Sequence, residues 1–298
     1  MLSAVPHLGE ALSILTAVIW GFAVILFKKS GETVHPLALN AFKNLLAMVL
    51  LVPTIWLTSE TLMPQTPDHG YLILFLSGAI GIGIGDTLFF KSLNELGAGL
   101  TAIVVCMYSP FVISFSSVWL NESLASLQLL GALLVIIAVL IATIQRGDKE
   151  VTRKGVIHGV LYGILASAAM AAGVVIMKPL LNTYSVIWVA EIRLLGGMVV
   201  LASVLLLHPR RRGIVDSLVK TRNWQYTLGG SFCGAYLAMI IWIAGIKYTQ
   251  ASIASALNQT STIFVFIFAA LILKERMTLR KTIGIGLAFI GAFLVMFF

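Results

Sequence analysis

Charge is scarce in this sequence. Of its 298 residues only 11% are Asp, Glu, Lys or Arg, whereas a soluble domain carries roughly 25%. So few ionic groups cannot cover a globule in water, and with 59% of the residues hydrophobic the surface has to face lipid. Cysteine is nearly absent as well. Cys106 and Cys233 lie far apart inside apolar runs, which argues against a metal-type spacing and leaves them as packing residues. The five histidines (His7, His35, His69, His158 and His208) are scattered, so the clustered acid, base or metal groups of a membrane enzyme are missing. The opening stretch MLSAVPHLGE has no Lys or Arg. Without a basic region ahead of it, the first apolar run reads as a retained span rather than a cleaved signal peptide. The net charge of +8 then belongs to cytoplasmic loops, not to nucleic-acid binding.

What the chain does have is long apolar runs. A helix needs about 20 mostly apolar residues to cross the hydrocarbon layer, and ten such segments can be read: 9–28, 36–57, 70–91, 97–119, 126–144, 155–178, 184–207, 224–246, 250–273 and 280–298. The fold class expected is therefore an all-α integral membrane protein with ten transmembrane helices. The loops after segments 1, 3, 5, 7 and 9 carry sixteen Lys and Arg, while the other side holds only Lys178 and Lys247. The positive-inside rule makes the first set cytoplasmic and leaves both termini outside.

The two halves repeat each other. At an offset of 150 residues Gly9 meets Gly159, Lys28 meets Lys178 and Lys43 meets Arg193. Three extra residues in the seventh loop move the offset to 153, where Gly81 meets Gly234, Glu122 meets Glu275 and Gly131 meets Gly284. Apolar matches come cheaply in a membrane protein, but charged ones do not. The expected units are residues 1–146, a basic linker at 147–154 and residues 155–298. Five helices per copy is an odd number, so the second copy enters the membrane inverted, the plan of many secondary transporters.

Trp20-Gly21 in the first segment, Pro36 and Lys43 in the second, and Leu120-Asn121-Glu122-Ser123-Leu124 after the fourth resemble the EamA repeat. So do Leu273-Lys274-Glu275-Arg276-Met277-Thr278 in the second copy and the glycines Gly131 and Gly284 that follow. The chain is similar, over nearly its whole length, to ten-helix members of the drug/metabolite transporter superfamily. That resemblance implies a central cavity enclosed by helices 1–4 and 6–9, with helices 5 and 10 peripheral. It implies export or uptake of solutes such as amino acids without ATP hydrolysis, in the cell membrane. It also implies cytoplasmic termini, the reverse of the charge bias. The second copy departs from the repeat at Met170-Ala171, where Trp-Gly is expected.

Ionisable groups inside spans are functional candidates, because lone charge in hydrocarbon costs several kcal/mol. Lys43 lies roughly 10 Å into its helix at 1.5 Å per residue, and Asp86 approaches the same face from the third segment. The two can form a structural ion pair or take part in transport. Arg193 matches Lys43, but Met239 stands where Asp86 would, so symmetry provides Arg193 with no partner and a substrate carboxylate can take its planar fork. The inversion sets Lys43 and Arg193 at opposite faces, where they can equally be gate residues. Glu191 diverges from Arg193 on the helix, and either it or Asp86 can exchange a coupling proton, since burial favours the neutral carboxyl. Near the midplane stand Tyr108, Ser109 and Pro110, with Asn258, Gln259, Thr260, Ser261 and Thr262 in the matching copy. Trp20 and Tyr236 can line an apolar wall with a polar edge; interhelical hydrogen bonds and packing explain the same residues structurally.

The Gly81–Gly85 run lies in a span with no strand before it, so it serves helix packing and not a nucleotide loop. No cofactor and no metal are expected. The partners expected are a small-molecule substrate, the bilayer and protons as a coupling ion; the oligomeric state is left open, a monomer being compatible with the pattern. The reading is a secondary transporter of small polar metabolites, as an exporter first, an uptake permease second and a channel third.

Overall fold

The computed structural model describes residues 7–57, 68–119, 126–143, 153–258, 260–275 and 278–297, and helix is the regular structure found among them. Among the described residues six helical stretches are long and apolar enough to cross a membrane: Leu8–Ser30, Pro36–Leu57, His69–Val105, Lys154–Asn182, Val186–Leu207 and Trp224–Tyr248. Trp56, Leu57 and Leu207 are 85–86% exposed at helix ends, a display of apolar surface that water does not tolerate but a lipid interface does. The expected segments 97–119 and 250–273 are interrupted: the first by a turn at Cys106–Met107, the second between Asn258 and Ser261.

The α-helices are α1 (Leu8–Ser30), α2 (Pro36–Leu57), α3 (Asp68–Gly78), α4 (Asp86–Val105), α5 (Tyr108–Trp119), α6 (Ser126–Thr143) and α7 (Arg153–Met177). They continue with α8 (Val186–Leu207), α9 (Arg211–Val219), α10 (Trp224–Gly230), α11 (Ala238–Tyr248), α12 (Ala251–Asn258), α13 (Ser261–Phe268) and α14 (Leu279–Phe297). Local chemistry sets their ends. Glu10 in the first turn of α1 and Lys28 and Lys29 in its last oppose the helix dipole as it requires. Pro36 opens α2, a position where its missing N–H costs nothing. His35 Nδ1 accepts the Leu37 N–H at 3.2 Å, which needs a neutral ring. Burial, with His208 and Lys91 nearby, lowers the His35 pKa in the same sense. At the matching place α8 starts on Ser185, whose side chain accepts the Trp188 N–H at 3.2 Å. Gly97 (φ 79°, ψ 174°) turns the chain within α4, in a region only glycine enters freely. Beyond it Glu275 accepts the N–H groups of Ala98 at 3.0 Å and Gly99 at 3.2 Å. A residue of the second copy thus caps a helix of the first, while its counterpart Glu122 lies outside the described residues.

Contacts repeat with the sequence offsets. Lys28 Nζ donates to the carbonyls of Leu93 and Asn94 at the turn that ends the third segment. Lys178 Nζ donates to those of Ile246 and Thr249. Gly9 packs on Tyr248 and Thr249, and Gly159 on Glu95 and Leu96. Lys28, Leu93–Leu96 and Gly159 therefore share one end of the protein, and Gly9, Lys178 and Ile246–Thr249 share the other. α1 runs between these ends in one sense and α7 in the opposite sense. The first end also gathers the loop after α1 against α9 and its neighbours, through Thr33–Thr221 (2.6 Å), His35–Ser217 (3.0 Å) and Lys29–Asn223 (3.3 Å).

A π-helix interrupts each half at corresponding places, Ala79–Gly85 before α4 and Ser231–Leu237 before α11. The first packs on α7 and α8, and glycine makes the approach possible. A Cβ on Gly78 would stand 1.8 Å from the Arg193 carbonyl oxygen, and one on Gly196 would stand 2.0 Å from that of Phe75. Gly78→Ala is expected to force α3 off α8 and destabilise the fold by about 1–3 kcal/mol. Thermal unfolding in detergent reads this against Gly213→Ala, where nothing lies within 4 Å of the added carbon. Equal melting temperatures for the two variants would refute the close approach. α6 and α14 pack chiefly on each other.

Candidate functional site

The helices converge on a cavity of about 150 Å³. Its wall takes Thr16 and Trp20 from α1, Lys43 from α2, and Gly81, Ile82, Asp86 and Phe89 from the first π-helix and α4. Val105 and Tyr108 complete the first half. The second half gives Met170 and Val174 from α7, Arg193 from α8, Gly234, Ala238, Met239 and Trp242 from the second π-helix and α11, and Asn258 and Ser261 from α12 and α13. No described residue of α6 or α14 reaches it.

This wall is built twice over. At the offsets of 150 and 153, Trp20 corresponds to Met170, Lys43 to Arg193, Gly81 to Gly234, Asp86 to Met239, Phe89 to Trp242, Val105 to Asn258 and Tyr108 to Ser261. Seven pairs of matching positions face one space; the residue differs in six of them, and its chemical class in four. A symmetric frame thus carries an asymmetric lining.

The charges show the asymmetry most plainly. Lys43 is 2% exposed and donates to Asp86 Oδ2 at 2.6 Å and Asn44 Oδ1 at 2.9 Å. Asn44 in turn donates to Asn40 (2.9 Å), and Asn40 to Thr87 (2.9 Å) and the Ile82 carbonyl (3.0 Å). The pair is held in a network whose members lock one another. Arg193, 3% exposed, lies 5.9 Å from the centroid of the Trp242 ring, and its Nη1 contacts Met177 Sδ at 2.7 Å. Among the described residues no carboxylate bonds to it, and its Nε has no partner. Tyr108 Oη, Trp242 Nε1 and Asn258 Oδ1 are likewise buried without partners among the described residues. One cation in excess and three polar atoms unpaired among the described residues line a largely apolar space, the composition of a small-molecule pocket.

The sequence pattern of the EamA-like transporter family matches residues 7–144 and again residues 157–297. The chain belongs to this family. A protein of Archaeoglobus fulgidus named as an uncharacterized transporter is 26% identical over 285 residues, 96% of each chain. An S-adenosylmethionine/S-adenosylhomocysteine transporter of Chlamydia trachomatis serovar L2 is 28% identical over 142 residues, 47% of this chain and 42% of its own. One crystal structure matches with a TM-score of 0.67 at 15% identity, over 93% of this chain and 95% of its own, which is a likeness of fold. The protein is thus an EamA-family transporter and a multi-pass membrane protein.

Of the candidates read from the sequence, this EamA protein brings Trp20, Lys43, Asp86, Tyr108, Arg193 and Asn258 to one cavity. Lys43 and Arg193 enter their helices from opposite ends, yet both side chains reach the same space. Ser109 is fully buried but is not on the wall. Glu191 is off the wall as well, its Oε2 buried without a partner among the described residues. Tyr236 shares a 2.7 Å hydrogen bond with Thr54 away from the cavity. Gln259 lies outside the described residues. Sequence reasoning missed Thr16, Phe89 and Trp242. The signal was there for the last two, since each lies three residues beyond Asp86 or Met239 on the same helix face.

Proposed function

We propose that this EamA protein is a secondary transporter of small polar metabolites, amino acids and their relatives first. It works by alternating access of two inverted five-helix repeats, residues 1–146 and 155–298 joined by 147–154, across the plasma membrane. The observation that carries the substrate class is Arg193, a buried guanidinium on the cavity wall with no bonded carboxylate among the described residues. A lone cation at that depth is retained where a ligand neutralises it. The Chlamydia relative supports the reading, because S-adenosylmethionine carries an amino-acid head group. Trp20, Lys43, Asp86, Tyr108, Arg193 and Asn258 are the proposed contacts, and Asp86, the carboxylate on the wall, is the group for a coupling proton.

The repeated wall and the repeated lysine contacts at opposite ends support the inverted arrangement. Two copies that can exchange conformations give inward-open and outward-open states of similar energy. The end that holds Lys28, Lys29 and α9 is the cytoplasmic one by its charge. Net direction follows the gradients imposed, and export is the reading adopted.

Counterflow in proteoliposomes tests the proposal. Vesicles loaded with one unlabelled L-amino acid at a time are expected to accumulate its labelled form faster than empty vesicles. Movement indifferent to the internal solute would mark a channel, and no movement for any of the amino acids would refute the substrate class.

A further inference from the structure

The asymmetry of the wall has a vacancy in it. In the first repeat α2 packs on α4, and Lys43 of α2 meets Asp86 of α4 at 2.6 Å. In the second, α8 packs on α11 in the same relation, with Arg193 on α8 and Met239 on α11. Met239 and Trp242 share the α11 face on the cavity, and the Trp242 ring already stands 5.9 Å from the Arg193 guanidinium carbon. The residue matching Asp86 therefore shares the cavity wall with Arg193 but offers no charge. Asp86 acts on Arg193 electrostatically, but its bonded partner is Lys43.

We infer that the substrate's carboxylate takes the place, in the second repeat, that the Asp86 side chain holds in the first, and that Met239 determines specificity by leaving that place without a carboxylate of the protein's own. This rests on the transporter reading above and names the atoms that select its substrate. The choice of Arg over Lys fits it. A planar fork binds an arriving carboxylate at two points, whereas an ammonium serves as a point charge for a fixed partner. The unpaired Tyr108 Oη and Trp242 Nε1 are further donors, and Asn258 Oδ1 is an acceptor for the ammonium of an amino acid. The solute class is thus a small monocarboxylate that also carries a hydrogen-bond donor.

The test supplies the missing group. Met239→Asp is expected to close a second internal ion pair with Arg193 and to lower amino-acid counterflow by about tenfold or more, the scale of one lost charge-assisted hydrogen bond. The ligand-free protein is expected to melt at a higher temperature with Met239→Asp than with Met239→Asn. Met239→Leu, which leaves the place uncharged, is expected to retain more counterflow than Met239→Asp. In the double variant Asp86→Met/Met239→Asp the vacancy moves to Lys43, and counterflow is expected to recover in part. Counterflow by Met239→Asp equal to wild type, with amino acids moved by both, overturns the inference and leaves the transporter reading intact. If wild type moves no amino acid, that reading fails in its substrate class, and the melting comparison still decides the vacancy: no rise for Met239→Asp over Met239→Asn overturns it.

Discussion

Asp86→Asn is expected to destabilise the protein by about 3–5 kcal/mol, because it removes one partner of a buried ion pair and leaves the other charge uncompensated. Lys43 is 2% exposed and Asp86 is 13% exposed, at 2.6 Å. With the carboxylate gone, the ammonium is left with neutral acceptors only, Asn44 Oδ1 at 2.9 Å and the amide oxygen introduced at position 86. The Asn44–Asn40–Thr87 chain is disturbed in turn, since Asn44 is oriented by Lys43 on one side and Asn40 on the other. Replacing both charges, as in Lys43→Met/Asp86→Leu, is expected to recover much of the loss, because the cost of desolvating two ions disappears with them. Thermal unfolding of the purified protein followed by tryptophan fluorescence separates the outcomes. An Asp86→Asn protein that melts with wild type would mean that water or another group already compensates Lys43, and the pair would lose its structural importance.

That pair was legible in the sequence because two antiparallel spans brought a lysine and an aspartate to similar depth. The duplication was legible for a related reason. Charge is so rare here that Lys28 over Lys178 and Lys43 over Arg193 stand out, and both matches have structural counterparts in the lysine contacts and the shared cavity. Rotation about the helix axis was not legible. A helix in lipid is apolar all round, so periodicity does not tell which face turns inward. Tyr108 lines the cavity while Ser109, one residue on, does not, a difference of about 100° of rotation. Tyr236 was misplaced because it sits in the π-helix Ser231–Leu237, where extra residues per turn shift side chains from the face that α-helical counting assigns. The break between segments 70–91 and 97–119 was legible, and Gly97 turns the chain there; the turn at Cys106–Met107 was not, because it interrupts an apolar run that shows no break. Glu191, a half-buried side chain off the wall, has no physical account in the fold.

The companion substitution at Arg193 has the opposite sign for stability and the larger consequence for transport. Arg193→Gln removes a guanidinium that is 3% exposed and whose Nε has no partner among the described residues. Among the described residues no buried counter-charge bonds to it, so none is stranded, and the melting temperature is expected to stay level or rise. Transport is another matter. A carboxylate bound through two charge-assisted hydrogen bonds, each worth about 1.5–3 kcal/mol, is expected to lose roughly a hundredfold in kcat/KM when the fork becomes a neutral amide. Arg193→Lys keeps the charge and loses the fork, so it is expected to fall between the two. Solutes that lack a carboxylate should be indifferent to all three residues. A folded Arg193→Gln protein that moves amino acids within about twofold of wild type would remove the carboxylate from this site. The stability measurements carry the contrast independently of any substrate. Asp86 and Arg193 line one cavity, yet removing the first unbalances a pair that folding completes, whereas removing the second deletes a charge that folding leaves open. A site that waits for its counter-ion from solution has this signature, and a purely structural charge cluster does not.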